Sequence, residues 1–149
     1  MPSAAAVIAC ALALLGKSEN TMPRIALVDV PPVYASPQVE AYVRPSDDTI
    51  YVVTSSPLFR AVQAWKSDCG EPLALKKLAS VLVHEEWHVR HGGPEREAYY
   101  AQLTALLQLG VSPGHSVYTS VQRSMQAVDK KAKQKPELVL AESNRDAPK

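Results

Sequence analysis

The most constraining feature of this 149-residue chain is the segment His84-Glu85-Glu86-Trp87-His88, which spells HEEWH. If the segment is helical, the two histidines at positions i and i+4 lie one above the other on a single face. Both imidazoles can then reach one zinc ion, and Glu85 lies beside the ion, where a carboxylate can act as a base. The pattern therefore predicts a helix through this segment with a metal site on one of its faces.

The residues around the motif support a helix. From Pro72 to His91 the sequence is PLALKKLASVLVHEEWHVRH, in which apolar residues recur at helical rather than strand spacing. Gly92, Gly93 and Pro94 follow and end the helix. The motif is thus expected in the last turns of an amphipathic helix, just before a sharp reversal of the chain. The alternative interpretation is that the two histidines only pack on the buried face of a core helix, with both glutamates solvated.

A catalytic zinc ion usually takes three protein ligands and a water, so the chain around the reversal should supply a third ligand. The candidates are His91, Glu95, Glu97, His115 and Cys69. In a helical projection of the second helix, from about Glu95 to Leu109, Glu95 falls within the apolar cluster and Glu97 on the solvent side. A carboxylate that faces an apolar surface needs a charged partner, because burying an unpaired charge costs several kcal/mol. We therefore expect Glu95 as the third ligand and keep Glu97 as the alternative.

The stretch HEEWHVRHGGPEREAYYAQL resembles the active site of the zinc metallopeptidases called zincins, and among them the gluzincins. In gluzincins a glutamate on a following helix completes the site, and Glu95, Ala98 and Tyr99 are similar to the Glu-x-x-Ala segment of that helix. The resemblance implies one Zn²⁺ per chain, held by His84, His88 and Glu95, and a small sheet that lies over the metal-binding helix. It also implies that the chain hydrolyses peptide bonds.

Metal chemistry gives Glu85 the role of general base. Zinc lowers the pKa of its bound water toward about 7, and Glu85 takes the proton so that the hydroxide attacks a polarised carbonyl. Glu85 then passes the proton to the leaving amine. The oxyanion of the tetrahedral intermediate needs a further hydrogen-bond donor. The candidates for that donor remain open, and they are Tyr99, Tyr100, His91 and His115.

Two other classes of protein remain open. In the first, the zinc site is structural or degenerate and the chain is a binding or regulatory module, so the metal has no open coordination position. In the second, the chain is a metal-free helical packing module that binds a partner protein, and its fold is unchanged in a chelator. A metal measurement and a protease assay separate these two classes from the enzyme.

Length and charge limit the type of protein further. A chain of 149 residues is one domain by the usual size range. We expect this domain over residues 1–129 and a polar, flexible tail over residues 130–149, where Lys130, Lys131, Lys133 and Lys135 are concentrated. The formal net charge of +1 gives no general attraction to nucleic acid or to an acidic membrane. The expected partner is a peptide or protein substrate, with no nucleic acid and no membrane.

The first residues and the two cysteines bear on the compartment. The apolar run from Ala4 to Leu15 is too short to span a bilayer and follows no Lys or Arg, so we expect an N-terminal helix of the domain, closed by Gly16. This expectation favours a cytoplasmic protein; the alternative is a secreted protein, with residues 1–15 as an atypical signal peptide. Cys10 and Cys69 are too few for a disulfide framework, and whether they pair remains open.

The rest of the sequence predicts an α+β fold. Arg24 to Val30 is expected to form a buried strand. Val39–Val43 and Thr49–Thr54 flank a turn-forming cluster and are expected to form an antiparallel hairpin. Beyond the second helix, the segment from Val117 to Val128 has apolar residues at helical spacing. The expected architecture is a small antiparallel or mixed sheet packed on the HEEWH helix, with two or three further helices.

Overall fold

A computed structural model of the chain describes residues 1–33, 35 and 38–146, with side chains described up to residue 131. The helices and strands are α1 Ala4–Leu14, β1 Arg24–Val28, β2 Ala41–Val43, β3 Thr49–Val53, α2 Pro57–Gln63, α3 Pro72–His91, α4 Glu95–Gln108 and α5 Ser116–Asp146. The fold of the described residues is therefore α+β, with five helices and a small three-stranded mixed sheet.

The sheet has the strand order β1-β3-β2. β3 pairs with β2 in the antiparallel direction, as the turn-forming cluster predicts, and with β1 in the parallel direction. In this central strand Ile50, Val52 and Val53 are fully buried. The sequence predicts a buried strand for β1, and this prediction is wrong, because β1 lies at the sheet edge with Leu27 41% exposed. A short apolar run does not reveal whether a strand has a neighbour on both sides.

α1 is part of the main hydrophobic core, as the sequence predicts. Ser3 caps its first turn by accepting a hydrogen bond from the Ala6 N–H at 3.1 Å, and Gly16 follows the helix with φ of +65°. α1, α2 and α3 pack together, and α3 also contacts β2 and β3. A disulfide joins Cys10 in α1 to Cys69 in the loop before α3, which answers the question of pairing that the sequence leaves open.

The sequence patterns do not predict α2. Its N-cap is Ser56, whose hydroxyl accepts a hydrogen bond from the Phe59 N–H at 3.2 Å, and Pro57 occupies the first turn. A helix of seven residues is too short for helical periodicity to show, so the Ser-Pro pair is its main sequence signal. The chain then passes closely over Val62 at Gly70, where φ is +85° and a Cβ would collide with the Val62 carbonyl.

α5 begins at Ser116 and continues to Asp146, well past the end near Val128 that the pattern predicts. Its first turns pack on α4 through a second small core that includes Leu106 and Val121. The predicted tail, residues 130–149, belongs to this helix up to Asp146, and its side chains beyond residue 131 lie outside the described part of the structure. Among the residues described, no helix is long and apolar enough to cross a lipid bilayer.

Candidate metal centre

α3 carries the HEEWH motif and holds it against the core. The Glu71 carboxylate caps the first turn, Pro72 occupies the first helical position, and the helix ends at Gly92 with φ of +84°. Between these ends the helix buries a continuous apolar face. His84 and Glu85 are only 7% and 8% exposed, so both side chains are held in place by the surrounding helices.

The turn Gly92-Gly93-Pro94 brings Glu95, the first residue of α4, back toward the two histidines. The Nε2 atom of His84 lies 3.6 Å from one carboxylate oxygen of Glu95, and the Nε2 atom of His88 contacts the other. One ligand atom from each of these residues lies within 4.8 Å of the other two. Tetrahedral zinc, with bonds of about 2.0 to 2.2 Å, separates neighbouring ligand atoms by about 3.3 Å, and the 3.6 Å between His84 Nε2 and the Glu95 carboxylate is close to this value.

The other candidates for a third ligand lie elsewhere. Glu97 is exposed and does not join the cluster, in agreement with its position on the solvent side of the helical projection. Cys69 is bonded to Cys10. Within the described residues, the structure therefore brings only Glu95 together with the two histidines of the motif.

His88 and Glu95 shift each other's pKa values toward the charged forms. The imidazoles of His84 and His88 lower the pKa of Glu95 to about 2, so its carboxylate is anionic throughout the physiological range. The same carboxylate raises the pKa of His88 above its ordinary value. Glu95 keeps 43% of its side chain exposed, so the cluster opens to solvent on one side.

Glu85 lies beside the cluster in a drier environment. Removal of its carboxyl group from water raises the pKa of Glu85 to about 7, although the nearby imidazoles of His84 and His88 act in the opposite direction. A carboxyl group with a pKa near neutrality can both accept and return a proton at physiological pH. That capacity is what a general base requires.

The hydrogen bonds of His88 show whether the cluster suits a metal cation. Its Nδ1 lies 2.8 Å from the Gly92 carbonyl oxygen, which can only accept, so Nδ1 carries the proton and Nε2 bears the lone pair of the neutral ring. That Nε2 atom is buried, has no hydrogen bond of suitable geometry and faces the Glu95 carboxylate. Two acceptors face each other stably only with a proton or a cation between them. Imidazole nitrogen and carboxylate oxygen are both ligands that zinc accepts.

The cluster lies on the floor of a cleft of about 900 Å³. α3 forms the floor, β2 forms one wall, and α4 with the first turns of α5 forms the other. An ion pair of 3.5 Å between Lys77 and Glu40 ties α3 to the residue before β2. β2 is an edge strand, so one row of its backbone N–H and C=O groups has no strand partner in the described residues.

Among the candidate oxyanion donors, Tyr99 is the one that lines the cleft within the described residues. Its ring packs edge-on against His84 with 4.5 Å between ring centroids, and burial raises the pKa of its hydroxyl. Tyr100 is 69% exposed. His91 is exposed and stacks on a tryptophan ring, whereas His115 accepts a hydrogen bond from the backbone in the first turn of α5.

Two buried polar residues near the motif make contacts that the sequence does not predict. Glu86 is buried, where it pairs with Lys17 after α1 and, at 2.9 Å, with Arg90 in the next turn of α3. Gln102 projects from α4 and lies 3.0 Å from His84 Nδ1. The contact of Gln102 could have been suspected because it is a polar residue on the apolar side of the α4 projection. The pair of Glu86 with Arg90 could have been suspected from their i,i+4 spacing.

The site thus combines a cluster suited to a cation, a buried carboxyl group with a pKa near neutrality, and a cleft beside an edge strand. No protein-family model, curated protein or solved structure matches the chain. The function is therefore inferred from the chain's own residues.

Proposed function

We propose that the chain is a zinc-dependent metallopeptidase of the zincin type, which hydrolyses peptide bonds. The observation that carries this proposal is the convergence of the His84 and His88 Nε2 atoms with the Glu95 carboxylate, next to the buried Glu85. Three protein ligands of one Zn²⁺ leave a fourth position for water or substrate, whereas structural zinc sites use four protein ligands. No fourth histidine, cysteine or carboxylate joins the cluster among the residues described, which favours a catalytic site over a structural one.

The chain's own residues supply the proton transfers. Zinc, when bound, polarises a carbonyl and makes a water molecule acidic near neutral pH. Glu85 lines the cleft beside the ligands, where its carboxylate accepts the proton of the attacking water. Glu85 then gives the proton to the leaving amine as the peptide bond breaks. Tyr99, on the wall of the same cleft, donates a hydrogen bond to the oxyanion.

The cleft suits an extended peptide as substrate. β2 borders the cleft with backbone groups that have no strand partner among the residues described, and such groups bind a peptide backbone by adding it to the sheet as a further strand. The position of a small sheet against the motif helix, as in zincins, supports the same proposal. Both observations favour a peptide or an unfolded segment of a protein over a compact small molecule.

The disulfide bears on the compartment in which the enzyme works. Disulfides form and persist in oxidising compartments and are rare in a reducing cytoplasm. The Cys10–Cys69 bond therefore favours an oxidising compartment over the cytoplasmic location that the sequence favours. Thiol labelling of the protein in its native cell, without added reductant, tests this inference, and extensive labelling of both cysteines would contradict it.

Metal analysis combined with a protease assay tests the proposal. We expect about one zinc ion per purified chain and cleavage of an unfolded protein substrate, both of which a chelator should remove. Glu85→Gln should retain zinc and lose cleavage by a factor of about 100 or more, because it removes the base and no ligand. Glu95→Ala should lose zinc. Glu97→Ala, the matched change on the exposed side of the same helix, should retain both zinc and cleavage.

Each other class of protein has its own signature in these experiments. Bound zinc without cleavage by the wild-type protein would favour the structural or regulatory module. Absence of zinc, with a fold that is unchanged in a chelator, would favour the packing module. Equal zinc binding by Glu95→Ala and the wild type would show that Glu95 is not a ligand.

A further inference from the structure

A series of buried hydrogen bonds leads from the backbone of α3 to His84. Ser80 Oγ lies 2.6 Å from the Lys77 carbonyl oxygen, and Gln102 Nε2 lies 3.2 Å from Ser80 Oγ. Gln102 Oε1 lies 3.0 Å from His84 Nδ1. Ser80 is fully buried and Gln102 is 4% exposed, so water does not replace these partners.

The direction of each hydrogen bond follows from the previous one. The Lys77 carbonyl can only accept, so the single hydroxyl proton of Ser80 points toward it. The Ser80 oxygen must then accept from Gln102, which places the amide NH₂ group toward Ser80 and the amide oxygen toward His84. An amide oxygen also can only accept, so His84 carries its proton on Nδ1 and directs its Nε2 lone pair toward Glu95.

We propose that Gln102, oriented by Ser80, is a positioning residue that fixes His84 in the Nδ1–H tautomer and so presents Nε2 to the metal. This inference rests on the proposed function, in which His84 is a zinc ligand. Partners of this type set the orientation of a ligating ring and change metal affinity by about 10- to 100-fold. Gln102 lines the cleft, but its amide oxygen faces His84 Nδ1, so it acts on the metal through His84.

The position of Gln102 in α4 gives the arrangement a second property. Glu95 and Gln102 are two turns apart on one face of the same helix. A single placement of α4 against α3 therefore fixes both the third ligand and the partner of His84. His88 differs, because its Nδ1 donates to the Gly92 carbonyl at the end of its own helix.

Nitrogen NMR of ring-labelled histidine in the zinc-depleted protein tests the tautomer independently of activity. At about pH 8, where neutral imidazole predominates, the wild type should show His84 protonated on Nδ1. Gln102→Leu is similar in size but offers no acceptor, so it should lose this preference and bind zinc about 10- to 100-fold more weakly in a chelator competition. Gln102→Glu restores an acceptor for His84 Nδ1, with the Ser80 hydroxyl turned from the Lys77 carbonyl to donate to the carboxylate, and should recover both properties. Gln108→Leu, the same change at an exposed position of α4, should alter neither.

Several results would overturn the inference. They are a wild-type His84 protonated on Nε2, an unchanged tautomer in Gln102→Leu, or a changed tautomer with unchanged zinc affinity. If Gln102→Leu does not fold, Ser80→Ala tests the same series of hydrogen bonds. Loss of the Ser80 hydroxyl frees the Gln102 amide to turn, so this variant should also lose the Nδ1–H preference of His84 and bind zinc more weakly. Zinc binding that is insensitive to both variants would refute this inference alone. A wild type that binds no zinc would refute the proposed function together with it.

Discussion

In the zinc-depleted protein, Glu85→Gln should remove much of the dependence of stability on pH. Desolvation raises the pKa of Glu85 from 4.5 to about 7. Between these values the folded chain holds a proton that the unfolded chain has released, so the free energy of unfolding falls as the pH rises. The contribution is complete below pH 4.5 and is lost as the pH rises through about 7. Its size is about 3 kcal/mol, from about 1.4 kcal/mol per unit of pKa difference.

Two neighbouring groups, His88 and Glu95, also contribute to the dependence of the free energy of unfolding on pH. The pKa of His88 is also raised, so its contribution is present below pH 6.5 and is lost as the pH rises through its folded-state pKa. The pKa of Glu95 is lowered to about 2 from 4.5, so its contribution is present above 4.5 and is lost only as the pH falls toward 2. Glutamine does not titrate, and the variant should therefore keep only the dependence due to His88 in the neutral range.

Urea unfolding of chelator-treated protein, followed by circular dichroism between about pH 5 and about pH 8, measures the effect. The wild type and Glu85→Gln should have similar stabilities at the acidic end. Near pH 8 the variant should be the more stable protein by about 3 kcal/mol. Glu97→Gln, a matched change at an exposed glutamate, should follow the wild type. Parallel curves for the wild type and Glu85→Gln would refute the reasoning that the Glu85 carboxyl is desolvated.

Zinc, the disulfide and the core each have a measurable effect on stability. Zinc at about 1,000 times its dissociation constant should raise the free energy of unfolding by about 4 kcal/mol, and calorimetry that shows no shift in the wild type would contradict a specific site. Replacing Cys10 and Cys69 by serine should cost about 4 kcal/mol, because the bond joins residues 59 positions apart. Urea midpoints with and without a reductant check this value, and equal midpoints would count against the bond. Phe59→Ala should cost about 3 to 5 kcal/mol in the same assay, since Phe59 is fully buried, and a negligible loss would count against its place in the core.

The elements that position the site follow from local sequence patterns. Helical periodicity up to Gly92 predicts α3, and the reversal that ends at Pro94 predicts the start of α4. The turn between two β-rich segments predicts the hairpin of β2 and β3. The projection of α4 also separates Glu95 from Glu97, because the direction of a side chain on a helix depends only on its position in the sequence. The approach of Glu95 to the two histidines is therefore predictable from the sequence.

The features that the sequence does not predict depend on contacts between distant residues. The pairing of Lys17 with Glu86 joins positions 69 residues apart, and no local pattern marks it. The edge position of β1 depends in the same way on a distant contact, because β3 and not β1 lies at the centre of the sheet. Gln102 is visible in the projection as a polar residue on an apolar face, but its partners Ser80 and His84 belong to another helix.

The brevity of the turn between α3 and α4 has a consequence for the order of folding. All the groups that would hold zinc lie within residues 84–95, so assembling them closes only a short loop, and the chain entropy lost in that closure is small. Docking of two adjacent helices is sufficient to gather the three side chains. The parallel pairing of β1 with β3 joins residues far apart in the chain and is intrinsically slower. The pair of helices α3 and α4 can therefore bring the three proposed ligands together before β1 pairs with β3.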